Sequence, residues 1–249
     1  MVILKLPDEI EKLRRSNLIV AEILAELRER VKPGVTTLEL DELCETRCRQ
    51  KNVKPAFKGY RGYPFALCAS VNGEVVHGMP SERPLLPGDI VSLDFGVNDR
   101  GYYGDSAITV PVGTVSPQAQ ELMAVTEESL YAGIEKAVAG NRLGDISAAV
   151  QKRVEAAGFS VVRDYVGHGV GRSLHEDPQI PNYGVPGRGI LLRSGIVLAI
   201  EPMVNEGTWQ VKLLPNDWTV VTEDGKLSAH FEHSVAITEN GPDILSRIH

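Results

Sequence analysis

The sequence is poor in cysteine and has no long hydrophobic run, and each absence excludes a class of protein. Among 249 residues there are three cysteines, too few and odd in number for the disulfide framework of a secreted domain, so we expect a reducing, cytoplasmic location. No window approaches the roughly 18 consecutive apolar residues of a membrane-spanning helix. The opening MVILKLPDEIEKLRR has too short an apolar stretch for a signal peptide.

Basic residues are also outnumbered. The chain has 26 Lys and Arg against 33 Asp and Glu, which gives a formal net charge of -7, and it contains no basic block. Because clustered basic residues are the usual footprint of nucleic-acid binding, no nucleic-acid partner is expected. A single folded unit runs to roughly 250 residues, so one domain over 1–249 is compatible with the length.

Short-range patterns predict an α+β protein. Apolar positions spaced three or four apart, with caps and terminators, predict four helices: 10–31, one that begins after Thr36, 117–138 and 145–157. Thr36 and Glu39 form a capping box, and Ser116 before Pro117 is an N-cap with proline at the first helical position. Six β-rich runs are predicted as strands: 65–71, 90–96, 102–110, 196–201, 218–222 and 231–238.

The two halves of the chain resemble each other. GDIVSLD at 88–94 and GIVLAIE at 195–201 each consist of a glycine, an apolar strand and a carboxylate. Gly34 and Gly140 precede these segments by the same interval to within one residue. The pattern predicts duplicated halves, approximately 1–111 and 112–249, with chance similarity between two apolar strands as the alternative.

Two aspartates flank a turn in SLDFGVNDRGYYGDSAIT, residues 92–109. A turn centred between Asp99 and Arg100 would place Asp94 directly opposite Asp105 on one face of a hairpin. Like charges in that arrangement repel, so they call for a cation or a shared proton. A solvated acidic hairpin is the alternative that the two residues alone leave open.

Three further residues favour a metal centre over a solvated hairpin. Glu201 ends a very apolar strand, where an unpaired carboxylate is costly to bury. Glu232 lies in HFEHS within another β-rich run, and His168 lies between glycines in VGHGVGRSLHEDP. Four carboxylates and one imidazole suit two divalent ions of intermediate hardness, such as Mn, Fe(II), Co or Zn.

In order and in context these residues resemble the type 1 methionine aminopeptidases of peptidase family M24. The resemblance covers nearly the whole chain and is carried by SLDFG, GDSA, GHGVGRSLHEDP, AIEPM, FEHS and VVHGMP. It implies one catalytic domain with the pita-bread fold, in which two pseudo-symmetric α+β halves surround a curved antiparallel sheet and the helices cover its outer face.

The resemblance also implies roles for individual residues. Asp105 and Glu232 would bridge two metal ions, Asp94 would bind one of them, and His168 and Glu201 would complete the other. Glu201 would also act as general base on a water molecule between the ions.

Two histidines and an apolar pocket are implied to handle the peptide. His77 would contact the amide nitrogen after the scissile bond, and His175 would help to hold the carbonyl group. The residues matching the family's methionine pocket are Tyr60, Tyr63, Cys68 and Trp218, with Phe57 and Leu174 at its edges. Because Phe57 and Leu174 depart from the residues that are common there, the pocket volume and the fine preference for the second residue are not fixed by the resemblance.

The implied function is metal-dependent removal of the N-terminal initiator methionine from nascent proteins and peptides with a small second residue. The implied partners are these substrates and the ribosome, and the chain is expected to be a monomer. A proline-specific relative usually has an additional N-terminal domain, whereas here the first helix is predicted near residue 8. A binding protein that has lost catalysis would lack ligands, whereas all five are present.

Overall fold

The helices agree with the four that the sequence predicts. The computed structural model describes residues 2–248. Its helices are α1 (Pro7–Arg30), α2 (Thr37–Lys51), α3 (Pro117–Ile134) and α4 (Leu143–Ala156). The capping box is confirmed, because Thr36 Oγ1 accepts the backbone N–H of Glu39 at 3.1 Å and the Glu39 carboxylate accepts the N–H of Thr36 at 2.7 Å. No helix within 2–248 combines the length and apolarity needed to cross a bilayer.

The third helix ends at Ile134, earlier than the predicted end near Val138. The backbone N–H of Lys136 donates to Gly133 and that of Ala137 donates to Ile134, at 2.9 Å each. These bonds span three residues and not four, so tight turns replace the last predicted turn of α-helix.

The strands are numerous and mostly short. They are β1 (Lys54–Pro55), β2 (Leu67–Val71), β3 (Glu74–Val76), β4 (Ile90–Asp99), β5 (Tyr102–Pro111), β6 (Ser160–Val161), β7 (Gly167–Gly169), β8 (Glu176–Ile180), β9 (Val197–Ile200), β10 (Met203–Asn205), β11 (Val211–Leu213), β12 (Val220–Thr222), β13 (Ser228–His230), β14 (Glu232–Thr238) and β15 (Gly241–Ile244). The six predicted strands are confirmed as β2, β4, β5, β9, β12 and β14. The additional strands are at most five residues long, too short to show a clear alternation in sequence.

Nine strands form one antiparallel sheet. Its order is β1-β4-β5-β14-β9-β7-β8, with β2 paired to β4 and β15 paired to β14. Two three-stranded sheets, β13-β10-β6 and β11-β12-β3, contain the other strands of the described chain. The α+β class and the antiparallel sheet are therefore as predicted.

The hairpin of β4 and β5 differs from its predicted register. Asp94 pairs with Ala107, two residues from Asp105, so the predicted direct opposition of the two aspartates is wrong. The turn is centred on Arg100 and Gly101, whose φ values are 54° and 86°. A two-residue hairpin turn of this kind needs positive φ at both central positions, which a glycine adopts without cost. A shift of two positions keeps both aspartates on one face, because alternate residues share a face.

The helices cover one face of the central sheet. Leu93 of β4 packs with Leu24 of α1 in one buried apolar cluster, and Leu198 of β9 packs with Leu130 of α3 in another. Successive side chains of a strand point to opposite faces, so Asp94 faces away from the helices. The acidic residues therefore lie on the concave side of the molecule, which the helices leave uncovered.

Equivalent backbone contacts occur in the two halves of the chain. Gly34 N–H donates to the carbonyl of Leu85 at 2.8 Å, and Gly140 N–H donates to that of Leu192 at 3.0 Å. Leu85 and Leu192 each precede the glycine of their sequence repeat by three residues. The division near residue 111 stays a prediction.

Candidate metal centre and active site

Five strands bring the predicted metal ligands together on one face of the sheet. Asp94 lies within β4, Asp105 within β5 and His168 at the centre of β7. Glu201 directly follows β9, and Glu232 is the first residue of β14. Because β14 lies between β5 and β9 in the sheet, residues far apart in sequence become neighbours.

Small residues in the strand rows make room for the carboxylates. Ala107 of β5 pairs with Asp94 on one side and with Glu232 on the other, so a methyl group separates the two acids. Asp105 pairs with Gly96, which has no side chain. Side chains opposite each other in a sheet compete for space. The sheet therefore offers a hollow in which these acidic side chains converge.

His168 reaches the hollow because it has a glycine on each side. A Cβ atom at Gly167 would lie 2.4 Å from the carbonyl oxygen of Ala199, and one at Gly169 would lie 2.2 Å from that of Asp177. Both distances are far below van der Waals contact, so any side chain at either position would displace β7. The glycines in GHG thus fix the backbone that carries the imidazole.

The ligand atoms form a compact group. Oxygen or nitrogen atoms of Asp105, His168 and Glu232 all lie within 4.8 Å of one another. His168 Nε2 is 3.7 Å from Asp105 Oδ2 and 3.5 Å from Glu201 Oε1. The atoms Asp94 Oδ1, Asp105 Oδ1 and Glu232 Oε1 are buried and have no hydrogen-bond donor within residues 2–248. Buried unpartnered carboxylates are costly, and bound cations relieve that cost, so these residues fit divalent metal.

The electrostatics of the group follow from its burial. Burial raises the pKa of Asp94 to about 7. Burial first, and the other carboxylates second, raise the pKa of Asp105 and Glu232 well above the ordinary range. Burial also raises the pKa of Glu201. Without a cation, these residues hold protons at pH values where exposed carboxylates do not.

The histidine of the group is held as a neutral ligand. Burial lowers the pKa of His168 to about 3, so the imidazole is uncharged at neutral pH. Its Nδ1 lies 2.9 Å from the carbonyl oxygen of Gly169, to which it donates a hydrogen bond as the protonated nitrogen. Nε2 is then left with a lone pair directed towards Asp105 and Glu201, which is the usual arrangement of a metal-binding histidine.

These pKa directions predict that metal affinity increases with pH. Protons compete with cations for carboxylates whose pKa is raised, so metal binding releases protons and tightens as pH rises. Between pH 6 and pH 7 we expect the apparent Kd for Mn²⁺ to fall about tenfold for each proton displaced. Titration calorimetry in two buffers with different ionisation enthalpies measures both the Kd and the number of protons. Equal affinity at pH 6 and pH 8 would contradict the predicted protonation.

One cavity of about 150 Å³ contains all the sequence-predicted site residues. An apolar cavity of about this size accommodates a benzene-sized molecule, so the space suits a single amino-acid side chain. The lining comprises the five predicted ligands, the two histidines and the predicted pocket: Asp94, Asp105, His168, Glu201, Glu232, His77, His175, Phe57, Tyr60, Tyr63, Cys68, Leu174 and Trp218.

The apolar wall of the cavity is built from packed aromatic residues and a neutral thiol. Tyr63 is buried, and its hydroxyl lies 3.0 Å from the carbonyl oxygens of Leu67 and of Gly78. Its ring meets that of Trp218 edge to face, with centroids 5.0 Å apart. Burial raises the pKa of the Cys68 thiol, which therefore stays protonated. A thiol among aromatic rings is a suitable surface for a flexible thioether side chain.

The two predicted histidines both line the cavity and contact different residues of this wall. Burial lowers the pKa of His77 to about 4, and its ring meets that of Trp218 edge to face at 6.5 Å. His175 is exposed at the cavity, where its Nδ1 lies 3.0 Å from the hydroxyl of Tyr60. The rings of His175 and His168 are 4.3 Å apart, which places His175 beside the ligand group.

Two residues near the cavity had no predicted role. Arg61 is the one lysine or arginine among the lining residues, and it lies between the two pocket tyrosines in GYRGYP. His230 does not line the cavity but lies next to one of the predicted ligands, with its Nε2 3.6 Å from Glu201 Oε2. The sequence contained a signal for it, since only one residue separates His230 from Glu232.

Comparison with known proteins gives a consistent family assignment. The family model of metallopeptidase family M24 matches residues 11–239. The chain is 54% identical over 247 residues to a methionine aminopeptidase of Clostridium acetobutylicum, with 99% of each chain covered. It is 54% identical over 248 residues to methionine aminopeptidase 1 of Bacillus subtilis, with 100% of each chain covered.

Solved structures agree with this assignment. The crystal structure of methionine aminopeptidase from Thermotoga maritima superposes with a TM-score of 0.98 at 51% identity, covering 100% of both chains. The prolidase of Pyrococcus furiosus superposes with a TM-score of 0.81 at 23% identity, covering 99% of this chain and 66% of that one. The likeness to prolidase concerns the fold alone. Together the two structures confirm the predicted pita-bread fold.

Proposed function

The chain belongs to metallopeptidase family M24, and on this premise we propose that it removes the N-terminal methionine from peptides and nascent proteins with a small second residue. The observation that carries the proposal is one cavity that combines four carboxylates and an imidazole with an apolar, aromatic wall. The four carboxylates and the imidazole would catalyse hydrolysis through bound metal, and the aromatic wall would bind one apolar side chain of the substrate.

We propose that the polar group would hold two divalent ions, with Asp105 and Glu232 as ligands common to both sites. Asp94 would complete the first site, and His168 with Glu201 the second. Four carboxylate charges match two divalent cations, and the mixed oxygen and nitrogen donors suit Co, Mn, Fe(II) or Zn. Such ions supply Lewis acidity, lowering the pKa of a water molecule and polarising a carbonyl oxygen.

Glu201 is the residue best placed to move protons. Its side chain lines the cavity beside His168, and burial raises its pKa, which makes the carboxylate a stronger base than an exposed one. Glu201 would accept a proton from the attacking water and return it to the amine that leaves. General bases work best when their pKa is near the operating pH.

His77 and His175 would orient the peptide bond. His77 is neutral at pH 7 because burial lowers its pKa, so it can contact the amide nitrogen without adding charge. A Tyr60 hydroxyl that donates to Nδ1 of His175 leaves the proton on Nε2. That N–H can donate to the carbonyl oxygen, where negative charge develops in the transition state.

Selectivity for methionine would come from the wall. Tyr60, Tyr63, Cys68 and Trp218 surround the space beside the polar group, and Phe57 and Leu174 close its edges. Each buried methylene contributes about 0.8 kcal/mol to binding. A methionine side chain buries several more such groups than alanine does, so a substrate with N-terminal methionine should bind the wall more tightly. The wall has room for one apolar side chain, so we propose that only the first residue of the peptide occupies it.

A panel of peptides tests this function. With Met-Ala-Ser we expect release of free methionine, and we expect kcat/KM about 50- to 100-fold lower for Ala-Ala-Ser, from the lost methylene burial. N-acetylated Met-Ala-Ser, which lacks the free amine, is the control and should not be cleaved. Cleavage of Ala-Pro but not Met-Ala-Ser would indicate a proline-specific enzyme, and no cleavage with Co²⁺, Mn²⁺, Fe²⁺ or Zn²⁺ would indicate a binding protein.

Further aspects of the setting belong to the same proposal. Cys44, Cys48 and Cys68 are unpaired and buried, which suits action in the reducing cytoplasm. Nascent chains as substrates imply action near the ribosome. We propose that the chain works as a monomer, with duplicated halves that meet near residue 111, because every proposed ligand comes from a single chain.

A further inference from the structure

His230 is a buried polar side chain for which the proposed mechanism has no use. It ends β13, its exposed fraction is 1%, and its Nε2 has no hydrogen-bond partner within residues 2–248. Leaving such a group unpaired costs about 1–3 kcal/mol. An unsatisfied buried group of this kind is often kept for a functional reason.

The ring of His230 is directed at Glu201. Its Nε2 lies 3.6 Å from Glu201 Oε2, while His168 Nε2 lies 3.5 Å from Glu201 Oε1. The carboxylate is therefore held between two imidazoles, one at each oxygen. The two imidazoles differ, because His168 lines the cavity and His230 is not among its lining residues.

The backbone of His230 is fixed by one hydroxyl group. Thr109 Oγ1 donates to the carbonyl oxygen of His230 at 2.8 Å and accepts its N–H at 2.9 Å. With both backbone groups held, the ring can move only by rotation of its side chain. A distance of 3.6 Å is too long for a hydrogen bond, and a small rotation of either side chain would close it.

We propose that His230 is a positioning residue that donates a hydrogen bond from Nε2 to Oε2 of ionised Glu201 in the metal-loaded enzyme. This inference rests on the proposed function. Oε2 of Glu201 would then accept this hydrogen bond, and Oε1, on the side of His168, would be left free to bind metal. Carboxylates that bind metals are usually hydrogen-bonded by outer residues, whose loss costs about 10- to 100-fold in metal affinity or activity.

Metal binding to the purified full chain tests the inference directly. For His230→Leu we expect the Kd for Mn²⁺, measured by calorimetry that starts from the metal-free protein, to increase about 10- to 100-fold. His230→Gln has an amide donor and should recover most of the affinity. The melting temperature of metal-free His230→Leu should be unchanged or higher, because an unpaired polar group has been removed. If His230 only filled space in the core, its replacement would not weaken metal binding while leaving the melting temperature of the metal-free protein unchanged or higher.

His233→Leu is the matched control. His233 follows Glu232 in β14, so its side chain points to the other face of the sheet from that ligand, and its Nδ1 lies 2.8 Å from Ser246 Oγ. Its replacement should therefore leave the Kd for Mn²⁺ unchanged. Wild-type affinity in His230→Leu overturns the inference. Equal weakening in the Leu and Gln variants also overturns it, because the amide would then not replace the donor.

The wild-type protein gives an independent test that needs no variant. Nitrogen-15 spectra of the histidine rings in the Zn²⁺-loaded protein should show a proton on Nε2 of His230. A zinc-bound Nε2, or a proton on Nδ1 alone, would overturn the inference. If wild-type protein binds Mn²⁺ and cleaves Met-Ala-Ser while these results fail, only the role of His230 is wrong; if it does neither, the proposed function fails first.

Discussion

Replacing Glu201 with glutamine is expected to lower kcat for Met-Ala-Ser by about 10²- to 10⁴-fold, because general-base catalysis contributes factors of that size. Glutamine keeps the size and one carbonyl oxygen of the side chain but cannot accept the proton of the attacking water. The assay should use saturating Mn²⁺, with the bound metal measured in the same samples. A loss of kcat with metal still bound separates the base role of Glu201 from its role as ligand.

Glu74 provides a matched control for this substitution. It is a further glutamate whose pKa is raised by burial, and its Oε2 accepts the N–H of Val71 at 2.8 Å, but it does not line the cavity. Glu74→Gln removes the same charge elsewhere in the protein and should leave kcat near that of the wild type. Near-normal kcat in Glu201→Gln with metal retained would exclude Glu201 as the base.

Removal of metal is expected to reduce kcat/KM at least about 10³-fold, since metal ions stabilise such transition states by several kcal/mol and each 1.4 kcal/mol is tenfold. The measurement is hydrolysis of Met-Ala-Ser after dialysis against a chelator, followed by return of Mn²⁺ or Co²⁺. Protein dialysed without chelator is the control. Full activity in protein shown to be metal-free would contradict the proposed mechanism.

The same dialysis should lower thermal stability. Three of the carboxylate groups have buried oxygens without a hydrogen-bond donor in the described chain, and cations would offset their repulsion. Metal at 100 times its Kd stabilises the folded state by about 2.7 kcal/mol, which corresponds to a rise in Tm of about 5–11 °C for a protein of this size. An unchanged Tm on metal addition would argue against binding at this cluster.

Much of the fold was accessible from local sequence patterns. The stripe from Ile10 to Val31 and the box formed by Thr36 and Glu39 predicted helices that the structure contains, because caps and amphipathic periods act over a few residues. The short strands were missed, since a three-residue strand such as β7 depends on partners remote in sequence. The turn at Arg100 shifted the hairpin register because a non-glycine residue there adopts positive φ.

The residues of the candidate site were predicted from the family resemblance, and their roles stay predictions. Every proposed ligand and pocket residue lines one cavity. These residues could be named from the sequence because the resemblance extended over motifs and not single residues. His230 could not be assigned in this way. Its significance depends on the 3.6 Å separation from Glu201 and on the lack of any other partner within 2–248, and both are properties of the folded chain.

The unpartnered carboxylate oxygens also bear on how this protein can evolve. A backbone N–H or hydroxyl donor placed next to Asp94 or Glu232 would stabilise the metal-free chain, yet it would occupy the oxygen that a cation needs. A substitution that adds a donor to the hollow beside Ala107 should therefore raise the stability of the metal-free chain and weaken metal binding. Thermostable variants of this enzyme should consequently carry their improvements on the helical face, remote from the four acids.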